Sequence, residues 1–303
     1  MAKLELVVAA EQTGRTVRSL LKGGLGLSTA RINRLKRTDS GITVNGTRVF
    51  TNAVLQAGDR LEVNLDAAER AAGTVPVPMA LDILYEDEHL LVINKCAPLA
   101  VIPSSLAKEE PTLANGLAYY LGPGSSFHPV NRLDRGTTGL LAAAKNGYIH
   151  DQLRRQLHSG DFRRKYLAVC QGVPQPEAGR VDLPIGREPG SAVKRRIDLE
   201  GGQSAQTDYC VLQTAWGEEK MSLVELTPHT GRTHQLRVHM AAIGCPLTGD
   251  WLYGKENRER IARPALHAAR LELVHPVTGE RLSAAAPLPE DMKKLLERYI
   301  CPI

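Results

Sequence analysis

The chain has 303 residues, enough for one large domain and one small one. Hydrophobic residues make up 43% and charged residues 23%, the balance of a soluble globular protein able to build a sizeable core. The formal charge of +5 is a mild excess; the five cysteines are odd in number and widely spaced without a C-x-x-C, which indicates neither a disulfide framework nor a zinc site. No long apolar leader opens the sequence and no apolar run approaches the ~20 residues that span a bilayer, so the expected location is the cytoplasm, away from membranes.

Taken in chain order, Thr16–Gly24 reads as a short helix ended by Gly23, Gly24 and Gly26. Ser28 is a good N-cap for a second helix, TARINRLKR, made strongly basic by Arg31, Arg34, Lys36 and Arg37. Asn45-Gly46 between β-branched residues predicts a hairpin in GITVNGTRVF, and AGDRLEV reads as a turn into a final short strand. Basic clusters at 31–37, 154–165 and 193–196 suit a polyanion, since neutralised phosphates release counterions; each would equally suit a solvated helix face. Basic helix, G-I-x-V-N-G and G-D in this order resemble the alpha-L RNA-binding domain over residues 13–64. That resemblance implies a small α+β unit that binds structured RNA through Arg31, Arg34, Lys36 and Arg37.

Residues 65–78 are rich in Ala, Gly and Pro and read as a linker. A second domain, 79–303, opens with a strand, an acidic turn and a strand in LDILYEDEHLLVINK. Strand-like runs follow in GLLAAAK, RKYLAVCQG, TDYCVLQTAW, SLVELTP and RLELVHP, with helical runs at 146–159 and 232–243. Strands outnumber helices without βαβ alternation, which predicts an α+β domain on a mixed, largely antiparallel sheet.

Two stretches carry candidate chemistry. In HPVNRLDRGTTGLL, Asp134 stands between Arg132 and Arg135, ahead of a glycine turn. Nearby guanidinium groups favour an ionised carboxylate that could act as nucleophile or base. By itself the pattern also fits a surface salt-bridge turn. In TGRTHQLRVH, a glycine turn runs into a helix carrying Arg232, His234, Arg237 and His239. An arginine from this helix could pair with a carboxylate or a phosphate. His229, His234 and His239 are five apart, which does not bring them together on a helix, so no metal site is expected.

Together NRLDRGTTGLL and TGRTHQLRVH resemble an RluA-type pseudouridine synthase. YEDEHLLVINK, RKYLAVCQG, GCPLTGDWLYG and RPALHAARLELVHPVTGE match further motifs of that family in order, over about residues 82–285. The chain departs from the pattern at Asn131, where a histidine is common, at Gly136-Thr137-Thr138-Gly139, and at Cys96, where a proline is usual. The resemblance implies the pseudouridine synthase fold and isomerisation of chosen uridines in structured RNA, ribosomal RNA before transfer RNA. It implies Asp134 as the catalytic carboxylate, by attack on the anomeric carbon or by removal of the ribose 2′ proton. It implies Arg237 as that carboxylate's partner, with Arg232 as the other candidate or as a phosphate contact, and Tyr166 as the aromatic that stacks on the target base and could help with proton removal. Leu236 would wall the pocket, and Arg132, Arg135, Arg164 and Lys165 would hold phosphates of a flipped-out nucleotide. No cofactor is implied by a redox-neutral isomerisation, and a monomer is expected. The alternative is an RNA-binding or ribosome-assembly protein without activity.

Overall fold

The computed structural model describes residues 3–65, 74–103, 110–123, 125–216 and 220–300. The expected linker falls largely on 66–73, outside the described residues.

The N-terminal unit begins earlier than residue 13. Strand β1 (Lys3–Val7) pairs antiparallel with β4 (Arg60–Asn64), so it belongs to the same small sheet. Between them lie helices α1 (Val17–Gly23) and α2 (Thr29–Leu35), then β2 (Ile42–Val44) and β3 (Thr47–Arg48), in sheet order β1-β4-β2-β3. Local chemistry sets each boundary. Thr16 caps α1 by accepting from the Ser19 amide, and Ser28 caps α2 by accepting from the Arg31 amide. The β2–β3 turn holds Asn45 at φ 50° and Gly46 at φ 78°, two successive left-handed residues whose twist matches the strands they join. Leu20, Leu21, Ile32, Leu35, Leu61 and Val63 fill the space between helices and sheet.

The larger unit runs β5 (Ile83–Glu86), β6 (Leu90–Lys95), α3 (Leu113–Leu121), β7 (His128–Pro129), β8 (Thr138–Ala144) and α4 (Gly147–Ser159). It continues β9 (Arg163–Gln171), β10 (Ala178–Asp182), β11 (Ile185–Arg187), β12 (Arg195–Ile197), β13 (Gln206–Trp216) and β14 (Lys220–Pro228). Helix α5 (Gln235–Ala242), β15 (Leu266–Val274), β16 (Arg281–Ala285) and α6 (Glu290–Tyr299) complete it. The main sheet has the order β10-β13-β14-β9-β15-β8-β6-β5, with β16 beside β15 and β7 beside β8. All its pairs are antiparallel except β8–β15. The α+β reading therefore holds. The short elements α3, β10, β11, β12, β16 and α6 are additions to the pattern read from sequence.

One register point organises the sheet. Ala268 on β15 pairs with Gly139 on β8 to one side and with Tyr166 on β9 to the other. Gly139 has φ +105°, and a Cβ there would stand 2.3 Å from the Ala268 carbonyl oxygen. Only glycine lets the two parallel strands approach so closely. The loop before β8 is thereby set beside the start of β9. Tyr166 also pairs with Leu226 on β14, two residues before that strand ends and the chain turns toward α5. Two loops and one strand thus converge at one end of the central strands.

Helix α4 is capped by Asn146, which accepts from the Ile149 amide, and stopped by Gly160 in the left-handed region. The N-terminal unit docks on one of its stripes. Gln152 donates to the Leu25 carbonyl at 3.4 Å, Arg155 donates to the Gly26 carbonyl, and the Arg31 Nε lies 4.0 Å from Asp151.

Gly139→Ala must either adopt a strained backbone or push β8 away from β15, and should lower stability by at least about 3 kcal/mol. Gly14 also has positive φ, but its Cβ direction is open. Gly14→Ala should cost only about 1 kcal/mol. Chemical denaturation of the two variants beside the parent checks the contrast.

Candidate active site

Asp134 sits in the loop between β7 and β8. The Thr137 amide donates to the Asp134 carbonyl at 3.0 Å, closing the turn that follows it. Two buried cations hold this loop by its backbone. The Lys95 ammonium donates to the carbonyls of Cys96 (2.8 Å), Leu99 (2.7 Å) and Arg135 (3.5 Å). Arg263 donates to the Gly136 carbonyl at 3.1 Å while pairing with Asp291 through Nε and Nη2. Burial pushes the Lys95 ammonium down to about 8, although the nearby Asp134 charge favours its protonated form. Asn131, at the position expected to carry histidine, is buried and structural. Its Oδ1 accepts from the Ala142 amide at 2.9 Å and its Nδ2 donates to the Leu140 carbonyl at 3.3 Å.

The guanidinium at Asp134 comes from α5. Arg237 Nη1 lies 3.4 Å from Asp134 Oδ2. Its Nε and Nη2 each reach one oxygen of Asp250 at 2.7 Å, and Asp250 is fully buried. This fork-to-fork pair leaves the third guanidinium nitrogen aimed at Asp134. His234, the residue before α5, has its Nε2 4.0 Å from the same Asp134 oxygen, and its Nδ1 is 2.8 Å from the Tyr253 hydroxyl. Burial, with the Arg237 charge adding to it, holds the His234 imidazole below its ordinary range despite Asp134. The Arg237 guanidinium lies 5.1 Å from the centre of the Tyr253 ring.

Around this centre opens a cleft of about 660 Å³. Asp134, Tyr166, Leu236 and Arg237 line it, as do Arg132, Arg135, Arg164 and Arg232. Helix α4 forms one wall with His150, Arg154, Leu157 and His158, on a stripe next to the one that carries the N-terminal unit. Tyr166 is buried, and burial raises its phenol above the ordinary range.

Several expectations need correction. Among the described residues neither arginine flanking Asp134 in sequence forms an ion pair with it; its paired guanidinium is that of Arg237. Arg132 is exposed on the cleft, and Arg135 pairs with Glu110 at 2.9 Å, because side chains adjacent in an open loop diverge. Arg232 turns away from Asp134 and donates to the Ser204 carbonyl at 3.0 Å. Lys165 does not line the cleft. On β9 alternate residues face opposite sides, so Arg164 and Tyr166 look into the cleft while Lys165 pairs with Glu225 on β14. Arg31 is buried at the α4 boundary, whereas Arg34, Lys36 and Arg37 are exposed. The three histidines have separate partners: His229 meets Asp208 at 2.7 Å, and His239 lies between Thr207 and the Leu183 carbonyl. Among the described residues no cluster has the makings of a metal site, and no helix is long and apolar enough to cross a membrane.

Sequence reasoning weighed His234 only as a metal ligand, and it passed over Asp250, Tyr253, Lys95 and Arg263. Asp250 and Tyr253 lie within GDWLYG, a motif noticed as a block, but a separation of 13 residues from Arg237 to Asp250 carries no pairing signal.

Comparison with known proteins identifies the family. The profile of the RNA pseudouridylate synthase family matches residues 89–242. The uncharacterized RNA pseudouridine synthase YhcT of Bacillus subtilis is 39% identical over 299 residues, covering 98% of this chain and 97% of that protein. Ribosomal large subunit pseudouridine synthase D of Pseudomonas aeruginosa is 38% identical over 276 residues, covering 85% of this chain and 83% of its own. The solved structure of human RNA pseudouridylate synthase domain containing 1 superposes with a TM-score of 0.59 at 29% identity, over 73% of this chain and 88% of that one. The chain belongs to the RNA pseudouridine synthase family. Its activity is that of an isomerase that converts uridine in RNA to pseudouridine.

Two outcomes are expected. Asp250→Ala strands the buried Arg237 charge and should cost about 3–5 kcal/mol in denaturation. Lys95 has a folded value near 8, below its ordinary 10.5. Its charged form therefore opposes folding, so its contribution to stability is full above 10.5 and lost as pH falls through 8. Between pH 8 and 10.5 the parent should gain stability relative to Lys95→Met, measured by denaturation at both ends of that window.

Proposed function

We propose that this enzyme modifies ribosomal RNA of the large subunit in the cytoplasm, as a monomer, with Asp134 as its reacting carboxylate. The observation that carries the chemistry is the placement of Asp134 in an open cleft, 3.4 Å from a guanidinium that Asp250 already holds by both other nitrogens. The choice of RNA is supported by relatives named for the ribosomal large subunit.

The reaction breaks the bond between ribose and the uracil nitrogen, turns the base, and rejoins it through a ring carbon that gives up its hydrogen. Asp134 acts at the ribose, either on the anomeric carbon or on the 2′ proton. Arg237 steadies the carboxylate before and after that step. Tyr166 stacks on the freed base. Its raised phenol remains protonated at neutral pH, so it serves as a wall and a hydroxyl rather than as a phenolate base. Arg132, Arg164 and Arg232 line the cleft at positions suited to the phosphates of a nucleotide flipped from its stack. The N-terminal unit acts as an RNA-binding domain, contributing Arg34, Lys36 and Arg37 to a longer polyanion path.

Carbodiimide mapping of pseudouridine in ribosomal and transfer RNA tests this reading. Cells lacking the gene should lose one or a few ribosomal sites, restored by the parent gene and not by Asp134→Asn. Loss confined to transfer RNA would redirect the substrate. No lost site, with ribosomal RNA binding retained, would favour an inactive binding protein. In purified enzyme Tyr166→Phe should keep activity within about tenfold of the parent, because the stacking ring remains, and Tyr166→Ala should fall by a further tenfold or more.

A further inference from the structure

We propose that His234 is a positioning residue for the reacting carboxylate, a neutral imidazole whose Nε2–H is aimed at Asp134 by a hydrogen-bond chain that starts at the Arg195 backbone. The inference rests on the reading of Asp134 as the group that reacts.

Donor and acceptor counting favours one position for the proton on the ring. The Arg195 amide donates to the Tyr253 hydroxyl oxygen at 2.8 Å. The hydroxyl's single proton is then available to the His234 Nδ1, also 2.8 Å away. With Nδ1 accepting, a neutral ring carries its hydrogen on Nε2. That nitrogen lies 4.0 Å from Asp134 Oδ2. The opposite tautomer would set a nitrogen lone pair against a carboxylate oxygen, so both ends of the ring select the same proton position. The charged groups around the imidazole are Asp134, Arg237, Asp250 and Arg195, with burial the dominant influence and the neutral form favoured.

The backbone supplies an independent observation. His234 has φ 57° and ψ 17°, in the left-handed region, at a helix N-cap position where extended backbone is usual. Asn45 is the other non-glycine residue with positive φ among the described residues, and its hairpin turn requires it. No hairpin requires it at His234. The strain accompanies a ring held edge-on to Tyr253, with centroids 5.7 Å apart.

The consequence concerns which carboxylate oxygen reacts. Arg237 Nη1 and His234 Nε2 both approach Oδ2. That oxygen is steadied, and Oδ1 is the one presented to the ribose. A displacement of about 1 Å brings the histidine to hydrogen-bond length when substrate enters. Because the chain begins at Arg195, the small β11–β12 hairpin is coupled to the centre of the cleft.

Three full-length variants test this. His234→Asn tolerates the left-handed backbone, but its amide ends near the level of Nδ1. His234→Gln reaches to the level of Nε2 with an N–H donor. Tyr253→Phe breaks the chain. The substrate is a large-subunit ribosomal RNA transcript tritiated at the uracil C5, the carbon that loses its hydrogen, and single-turnover tritium release is read alongside RNA affinity. His234→Asn should slow the reaction about 10- to 100-fold with affinity within about threefold, and His234→Gln should recover to within about fivefold of the parent. Imidazole nitrogen NMR should show the Nε2–H tautomer at neutral pH in the parent and its loss in Tyr253→Phe. Asparagine within about threefold of the parent overturns the proposal. So does glutamine as slow as asparagine, a defect carried by RNA affinity, or an Nδ1–H or charged ring. Asp134→Asn runs in parallel. If it stays active, the reading of the carboxylate itself fails; if it is dead while His234→Asn is unimpaired, only the role of His234 falls.

Discussion

The buried pair between Arg237 and Asp250 is the constraint on which the site depends. A guanidinium inside a helix packed against a sheet is tolerable only if its charge and donors are met. Asp250 meets both, using each oxygen on a separate nitrogen. Asp250 Oδ1 also accepts from the amides of Leu252 and Tyr253, so the acid is fixed by its own loop. The guanidinium is therefore rigid before any substrate arrives. Its free Nη1 edge points at Asp134, and its face lies against Tyr253. One ion pair solves a problem of burial and, by the same geometry, holds a guanidinium edge beside Asp134.

The partner carboxylate is placed by a different device. Its loop is held through carbonyl oxygens, by Lys95 at Arg135 and Arg263 at Gly136. Strand β15 supplies the ruler. Ala268 faces Gly139 and Tyr166 on its two sides, so the turn that carries Asp134 and the aromatic wall are set by backbone register rather than by side-chain packing. A missing Cβ at residue 139 is what permits that spacing. Helix α4 then closes one wall of the cleft with one stripe and carries the N-terminal unit on the next. Arg31 is used up in that docking, which leaves Arg34, Lys36 and Arg37 as the exposed basic side chains of the second helix and the turn that ends it.

Much of the fold was legible because local rules and tertiary packing agree. Ser28 and Thr16 cap the helices they announce, Asn45-Gly46 makes the hairpin, and the long apolar runs become the central strands. Elements whose pairing partners lie far away in sequence, or that are too short to carry a pattern, were not legible. Strand β1 exists through β4, nearly 60 residues on, and the β11–β12 hairpin is a short ladder with no apolar periodicity of its own. The basic clusters divided in the same manner. Alternation along β9 sent Arg164 to the cleft and Lys165 to Glu225, a distinction that needs the strand's facing and not its composition.

By itself the sequence determined the class of chemistry and the α+β architecture, and its motifs singled out Asp134, Tyr166 and Arg237 as candidates, because order and identity within the motifs are properties of the linear chain. It also determined that a glycine turn follows the acid. Only the tertiary structure decided which guanidinium stands at that acid. Arg135, next to Asp134 in sequence, pairs with Glu110, and an arginine more than a hundred residues away reaches the acid. Asp250, Tyr253 and His234 join the site for the same reason. A hydrogen bond depends on distance in space, and distance along the chain carries no record of it once a sheet has brought remote strands into register.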